Sequence, residues 1–357
     1  MAKKNVLFII NTEVGGSERM SVNISKMLPQ TDFCIKYVII KDAKLKRHAT
    51  SIVDFIPQNA ELLILNAKGH FDKVIKLYKV IKHQSPDIVF SSHYNINDKI
   101  LFLKPFLPYI KFIIRAENTY STFSKSKKSI IRKTYCRADV LIAQTTEMKN
   151  DFVTNGILPT ERIIVLENPV DKDYVERKLS ESFKPYPDDG KKHIVAVGRF
   201  HLQKGYDYLI QAFSEVLKYD KEVDLYIVGS YLGQWQKEYE RVMQIACNLG
   251  IEQHIQCVGF SDNPYVYMKY ADCFVLSSRW EGLPNVLVEA LYLRTPIAAF
   301  KCIPIIERMV RNGIDGYLAE KESVPALTKA ICFALNMGRT NPAYCGATEE
   351  DFVALFK

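Results

Sequence analysis

The sequence predicts an α/β protein made of two consecutive doubly wound, Rossmann-like domains, each a parallel sheet with helices on both faces. Three observations predict it. Short β-rich apolar runs alternate with longer helix-like stretches along the chain, the rhythm of parallel strands joined by crossover helices. The length, 357 residues, exceeds what one hydrophobic core ordinarily supports. The pattern lapses at residues 171–191, DKDYVERKLSESFKPYPDDGK, where charge, two prolines and an Asp-Gly pair crowd together, and then it resumes.

In chain order, the expected first domain, 1–170, reads VLFII, a helix over SVNISKML, then DIVFS, KFIIR, DVLIA, a helix near Met148, and RIIVL. Residues 171–191 are expected as a linker. The second domain, 192–345, opens with HIVAVG and a helix after Gly205. It continues with DLYIVG, a helix around Trp235 to Leu249, IQCVG, a helix to Ala271, CFVLSS, a helix after Pro284, and PIAAF. Residues 346–357 read as a short terminal helix able to cross back to the first domain. Ligands of open parallel sheets sit at the carboxyl ends of the strands, so the loops after these strands are the candidate sites, and two such sheets facing each other would make a cleft.

Composition narrows the class. With 48% apolar and 25% charged residues the chain is globular rather than disordered. Eight scattered cysteines, with no pair at two-residue spacing, read as reduced thiols rather than zinc ligands. The opening MAKKNVLFIINTEVGG has basic residues and a short apolar run, but Asn11 and Glu13 interrupt it before a signal-peptide core is complete, and no run reaches transmembrane length. The cytoplasm is the expected compartment, with peripheral attachment at the inner face of the membrane as an added expectation.

The net charge of +8 is uneven: residues 1–185 carry 30 Lys/Arg against 19 Asp/Glu, and the remainder 18 against 21. A basic first half is expected to meet an anionic surface or a phosphorylated acceptor. Nucleic acid is disfavoured, since no helix-turn-helix, zinc finger or stacking motif is present. The stretch TFSKSKKSIIRKTY and the nearby LFLKPFLPYIK mix cations with apolar side chains, and read either as a solvated helix with a buried stripe or as an interfacial docking element.

Three motifs carry chemistry. Gly15 and Gly16 follow the first strand and open a helix, where backbone amides and the positive helix end approach phosphate; a merely structural turn is the other reading. The fuller Gly-x-Gly-x-x-Gly pattern and its downstream acid are missing, which disfavours a dehydrogenase. Arg199 and Lys204 lie between Gly198 and Gly205, five residues apart just beyond a strand end. Together they suit a departing diphosphate, whose developing charge fixed cations stabilise in a dry site; two solvated surface cations are the alternative. In SSRWEGLPNVLVEALYL, Glu281 sits in a loop and Glu289 on the following helix, placed to accept from sugar and ribose hydroxyls. Amides of Leu283, Asn285 and Val286 at the helix start add donors beside Gly282 and Pro284.

Taken together, VGGSER, GRFHLQKG and EGLPNVLVE resemble glycosyltransferase family 4 over nearly the whole chain. The resemblance implies the GT-B fold and transfer, with retention of configuration, from a nucleotide diphosphate-sugar, UDP rather than GDP in most members. It implies that Gly16, Arg199 and Lys204 hold the diphosphate, Glu289 the ribose and Glu281 the transferred sugar. With no obvious base in the sequence, the departing phosphate itself is expected to take the acceptor proton. GFSDNPYVYMKYADCFVLSS is similar to the family's nucleotide-side loop, which brings in Phe260, and ENPVD to its interdomain corner, with proline in place of glycine. Many members have a histidine after the strand that here reads KFIIRAENTY; Ala116 and Glu117 stand there instead, so Glu117 is expected to meet sugar or acceptor, while His93, which follows another strand, reads either as lining the acceptor side or as a structural or solvent-facing histidine. The C-terminal tail is shorter than the family's usual one.

No metal is expected: Asp171 and Asp173 fall in the linker, and no other cluster has ligand spacing. The expected partners are the nucleotide sugar and a glycan or polyprenyl-linked acceptor of bacterial surface polysaccharide assembly, the transferred unit being a hexose or N-acetylhexosamine. A UDP-sugar 2-epimerase and a catalytically idle sugar-nucleotide-binding subunit are the rival classes.

Overall fold

The computed structural model describes residues 2–12, 15–42, 52–181, 184–344 and 346–357. The chain divides into two compact units: Met1–Pro169 with Gly346–Lys357, and Val170–Cys345.

The first unit contains β1 (Lys4–Asn11), α1 (Gly16–Lys26), β2 (Phe33–Asp42), β3 (Glu61–Ala67), α2 (Gly69–Gln84), β4 (Ile88–Ser91), α3 (Tyr94–Leu103), β5 (Lys111–Arg115), α4 (Lys125–Thr134), β6 (Val140–Ala143), α5 (Thr146–Thr154) and β7 (Ile163–Val165). All strands are parallel, in the order β3-β2-β1-β4-β5-β6-β7. The order reverses between β1 and β4, so the crevice at a switch point opens beyond Asn11 and Ser91. The central strands are buried on both faces and read as continuous apolar runs, as parallel sheets require.

The second unit contains α6 (Lys172–Ser180), β8 (Lys192–Val197), α7 (Tyr206–Tyr219), β9 (Val223–Val228), α8 (Gln236–Leu249), β10 (Ile255–Gly259), α9 (Pro264–Tyr270), β11 (Cys273–Leu276), α10 (Asn285–Tyr292), β12 (Ile297–Phe300), α11 (Ile305–Met309), β13 (Gly316–Ala319) and α12 (Val324–Ala334). Its parallel sheet runs β10-β9-β8-β11-β12-β13, with the switch between β8 and β11. The loops after those two strands contain Arg199, Lys204 and Glu281.

Residues 171–191, read above as a linker, hold α6 instead of running as open chain. Asp171 caps that helix by accepting from the Tyr174 N–H at 3.1 Å, which accounts for one of the two acids considered for a metal. Tyr174 and Val175 are buried, and the Tyr186 hydroxyl donates to the Tyr267 carbonyl at 2.7 Å while its ring stacks on His193. Sparse apolar residues in a charged stretch suffice to pack it onto the second unit. Residues 182–183 lie outside the described residues.

The chain ends in α13 (Glu349–Phe356), which belongs to the first unit. Thr348 and Asp351 form a reciprocal capping box at its start. Phe356 is fully buried against Phe8, Phe33 and Phe90, and the Lys111 ammonium donates to the Leu355 carbonyl at 2.9 Å. Phe356→Ala should therefore destabilise the first unit by about 3–5 kcal/mol, read as an earlier urea transition of that unit. An unshifted transition would show that α13 does not complete this core.

Candidate functional site

In the second unit, two loops at the switch point are locked together by backbone contact. Gly205 adopts φ of 62°, and a β-carbon there would lie 2.1 Å from the Ser277 carbonyl oxygen, so only glycine lets the loop after β8 touch the end of β11. The Ser277 hydroxyl donates to the Lys204 carbonyl at 2.8 Å, and the Arg279 N–H donates to the Gln203 carbonyl at 2.7 Å. Gly229 performs a similar task at the end of β9, where a β-carbon would meet the Gly198 carbonyl oxygen at 1.9 Å.

This contact brings Lys204 and Glu281 together. The Lys204 ammonium is 2.8 Å from Glu281 Oε1, and both side chains are largely buried. The Ser278 hydroxyl donates to the same carboxylate at 2.7 Å, and the Gln203 amide approaches its second oxygen at 3.4 Å. Cation, carboxylate and hydroxyl thus form one preorganised polar cluster at the carboxyl ends of β8 and β11. Arg199 is placed differently from Lys204: its exposed guanidinium lies over the Trp235 ring, 4.8 Å from the centroid.

Glu289 is buried on the second turn of α10, within 3.4 Å of the Tyr265 hydroxyl from α9. Gly282, Leu283 and Pro284 connect Glu281 to this helix, Leu283 being buried and Pro284 preceding its first residue, Asn285, with Val286 next. Phe260 follows β10 and is exposed.

Sequence reasoning missed Arg279 and Asp207. The Arg279 guanidinium makes a bidentate pair with the Asp207 carboxylate at 2.7 and 3.0 Å, donates to the Leu202 carbonyl at 2.8 Å and stacks over Tyr208. This ties the loop holding Glu281 to the start of α7. Arg241 adds a second cation 3.3 Å from Asp207. Burial raises the Asp207 pKa, but hydrogen bonds and charge from Arg279 and Arg241 outweigh it and hold the group below the usual aspartate value. His201 caps the short turn before Lys204, accepting from the Gln203 N–H at 3.1 Å; burial and the Arg199 charge push its pKa down, so it stays neutral.

In the first unit, the expected acceptor-side residues do converge. The Ser17 hydroxyl, from the first turn of α1, donates to Glu117 beyond β5, and the Tyr94 N–H donates to the other oxygen of that carboxylate at 3.4 Å. His93 caps α3 through Nδ1, which accepts from the Asn95 N–H at 3.2 Å; its proton is thereby assigned to Nε2, 4.0 Å from Glu117. Gly15 precedes α1 and Gly16 begins it. A β-carbon at Gly15 would lie 2.7 Å from a carboxylate oxygen of Glu18. Glu18 is a second acid that sequence reasoning passed over. It is buried, held by the Asn11 amide at 3.0 Å, and burial raises its pKa. Beneath them Arg115 is buried, bonded to Asn168 and pushed down to about 10 by desolvation, so it keeps its charge at neutral pH.

Comparison with known proteins fits this geometry. Residues 14–174 match the family description "Glycosyltransferase Family 4" and residues 178–348 match "Glycosyl transferases group 1". The chain belongs to glycosyltransferase family 4. It is 25% identical over 356 residues to an uncharacterized glycosyltransferase of Haemophilus influenzae, spanning 94% of this chain and 91% of that one. An Escherichia coli UDP-Gal:alpha-D-GlcNAc-diphosphoundecaprenol alpha-1,3-galactosyltransferase is 22% identical, spanning 89% and 84%. The fold resembles that of Anabaena HepE, solved with UDP and glucose, with a TM-score of 0.80 at 18% identity over 99% of this chain and 98% of that one. The fold is GT-B, and the protein is a glycosyltransferase.

Arg279→Ala removes the main partner of a buried carboxylate, with Arg241 still beside it, and should cost roughly 2 kcal/mol of stability at neutral pH. Because the folded pKa of Asp207 is depressed, its ion-pair stabilisation is fully present above the ordinary aspartate pKa, about 3.9, and is lost as pH falls through the folded value. The stability gap between wild type and Arg279→Ala should accordingly narrow below about pH 4. A gap independent of pH would show that Asp207 is not the group Arg279 serves.

Proposed function

We propose that the protein transfers a hexose or N-acetylhexosamine, with retention of configuration, from a UDP-sugar to a lipid-linked or glycan acceptor in bacterial surface polysaccharide assembly. The observation that carries this reading is the Lys204–Glu281 pair, set at the switch point of the second sheet, where ligands of such sheets bind. Lys204 and Arg199 hold the diphosphate and stabilise the charge that grows as the sugar departs. Glu281 accepts from hydroxyls of the transferred sugar and Glu289 from the ribose, with Phe260 and the α10 amides bounding the nucleotide.

The first unit supplies the acceptor side, with Glu117 and His93 as hydrogen-bonding groups, while Gly15 and Gly16 admit the donor diphosphate close to the start of α1. The acceptor proton passes to the departing phosphate, and no metal is needed. The Escherichia coli relative, a galactosyltransferase named for a diphosphoundecaprenol-linked sugar, supports a lipid-linked acceptor. So does the basic first half, which also favours the inner face of the membrane as the place of action. Among the described residues no helix is long and apolar enough to cross a membrane.

The test is nucleotide release from a panel of nucleotide sugars, with and without membrane extract. Acceptor-dependent release from UDP-sugars supports transfer; acceptor-independent change of the sugar indicates epimerisation. Lys204→Ala should lower turnover at least about tenfold, equivalent to roughly 1.4 kcal/mol of transition-state stabilisation. Undiminished turnover would remove Lys204 from the site.

A further inference from the structure

We infer that the loops after β8, β9 and β11 form a stacking platform for a pyranose ring, with Trp280 as its contact face and His201 and Trp235 as its support. The inference rests on the donor-site reading given above and goes beyond it, assigning a sugar-binding role to aromatic side chains beside the Lys204–Glu281 cluster. Three observations carry it.

The aromatic groups converge. The chain has two tryptophans, and both meet one imidazole. The His201 ring centroid lies 5.5 Å from that of Trp235 and 6.5 Å from that of Trp280, edge-on to both. Ring pairs at such distances and angles attract each other. His201 is itself held in place, since its Nδ1 accepts from the Gln203 N–H at 3.1 Å, which assigns its proton to Nε2. Trp235 also takes the Arg199 guanidinium over its ring at 4.8 Å.

Trp280 is rigid and open at once. Its carbonyl accepts from the Gln203 side-chain amide at 2.9 Å, and the same amide reaches the carboxylate of the next residue, Glu281, at 3.4 Å. The preceding residue, Arg279, is clamped to Asp207 through its guanidinium and to the Gln203 carbonyl through its N–H. The backbone on both sides of Trp280 is therefore fixed, yet its indole stays 38% exposed. A ring fixed in advance loses little freedom when a partner covers it, and covering it removes apolar surface from water.

The platform has an apolar rim set among polar groups. Leu202 follows β8 and Leu232 follows β9, and they are 48% and 67% exposed at the same end of the sheet as Trp280. Next to them in the chain stand Gln203, Lys204 and Glu281. A pyranose offers both matching surfaces: a face of axial C–H groups that packs on an aromatic ring, and a rim of hydroxyls for amide, ammonium and carboxylate. A purely apolar ligand would bury those polar groups without partners, at a cost that a sugar avoids.

The ring has two sources, the sugar carried by the donor and the sugar at the end of the acceptor. The experiment is titration calorimetry with tryptophan emission on the full chain. The ligands are UDP; UDP-glucose, UDP-galactose and UDP-N-acetylglucosamine; and the matching methyl pyranosides with and without UDP. Trp235→Phe leaves Trp280 as the only tryptophan, so emission from that variant reports this indole alone. Its emission is expected to change when a sugar ring arrives, beyond any change that UDP produces. Trp280→Ala should weaken binding of at least one sugar-bearing ligand about tenfold while the affinity for UDP stays the same, and Trp280→Phe should restore most of the loss. Unchanged melting confirms that each variant folds. A loss confined to the UDP-sugars assigns the platform to the transferred ring, and a loss confined to the methyl pyranosides assigns it to the acceptor.

Equal affinity of wild type and Trp280→Ala for every sugar on the panel overturns the inference. So does an equal loss of affinity for UDP itself, which would mark Trp280 as a nucleobase contact. Absence of UDP binding to wild type counts instead against the donor-site reading, and the methyl pyranosides without UDP then decide the platform.

Discussion

The structure of the second unit depends on one close approach, between the turn ending at Gly205 and the end of β11. A side chain at residue 205 would collide with the Ser277 carbonyl and push apart the two loops that hold Lys204 against Glu281. A lysine on a free loop is a solvated point charge on a flexible stem. Here its backbone carbonyl is bonded to Ser277 and its ammonium to a buried carboxylate, so its position is set before any substrate arrives. The clamp from Arg279 to Asp207 fixes the same two loops from a second side. Preorganisation of this kind lets a cation act on developing negative charge without reorganising at the moment of reaction.

The first unit follows a similar logic with different groups. Buried Arg115 anchors the polar layer under the carboxyl ends of β5 and β6, through Asn168 and then Gln144, whose amide donates to the Ala116 carbonyl at 2.6 Å. That layer holds the backbone before Glu117, and Ser17 and Tyr94 complete the carboxylate's hydrogen bonds. Buried polar groups of this number persist because nearly all are satisfied, and such networks favour a single geometry.

Much of this was legible in the sequence. The alternation of apolar runs and helical stretches announced two parallel sheets, and the glycines around Arg199 and Lys204 marked a backbone that must pass close to something. The strands Phe33–Asp42 and Glu61–Ala67 did not stand out, because Lys36 interrupts the first and exposed Leu62 and Ile64 blur the alternation of the second. Residues 172–180 were lost for the opposite reason: a charged surface helix has too few apolar positions to show a period. Arg279 and Asp207 lie 72 residues apart, and no local pattern links two such positions before a fold brings them together. Arg199 and Lys204 illustrate a further limit, since spacing grouped them whereas packing sends one to Trp235 and the other to Glu281.

The central claim is that the Lys204 ammonium is the cation that receives the donor diphosphate. The most direct measurement is a crystal structure of the protein with UDP bound, reading the distance from Lys204 Nζ to the β-phosphate oxygens. The account expects direct contact, about 3 Å, as in other charge-assisted hydrogen bonds. A diphosphate bound away from the ends of β8 and β11, with Lys204 still on Glu281 alone, would contradict it.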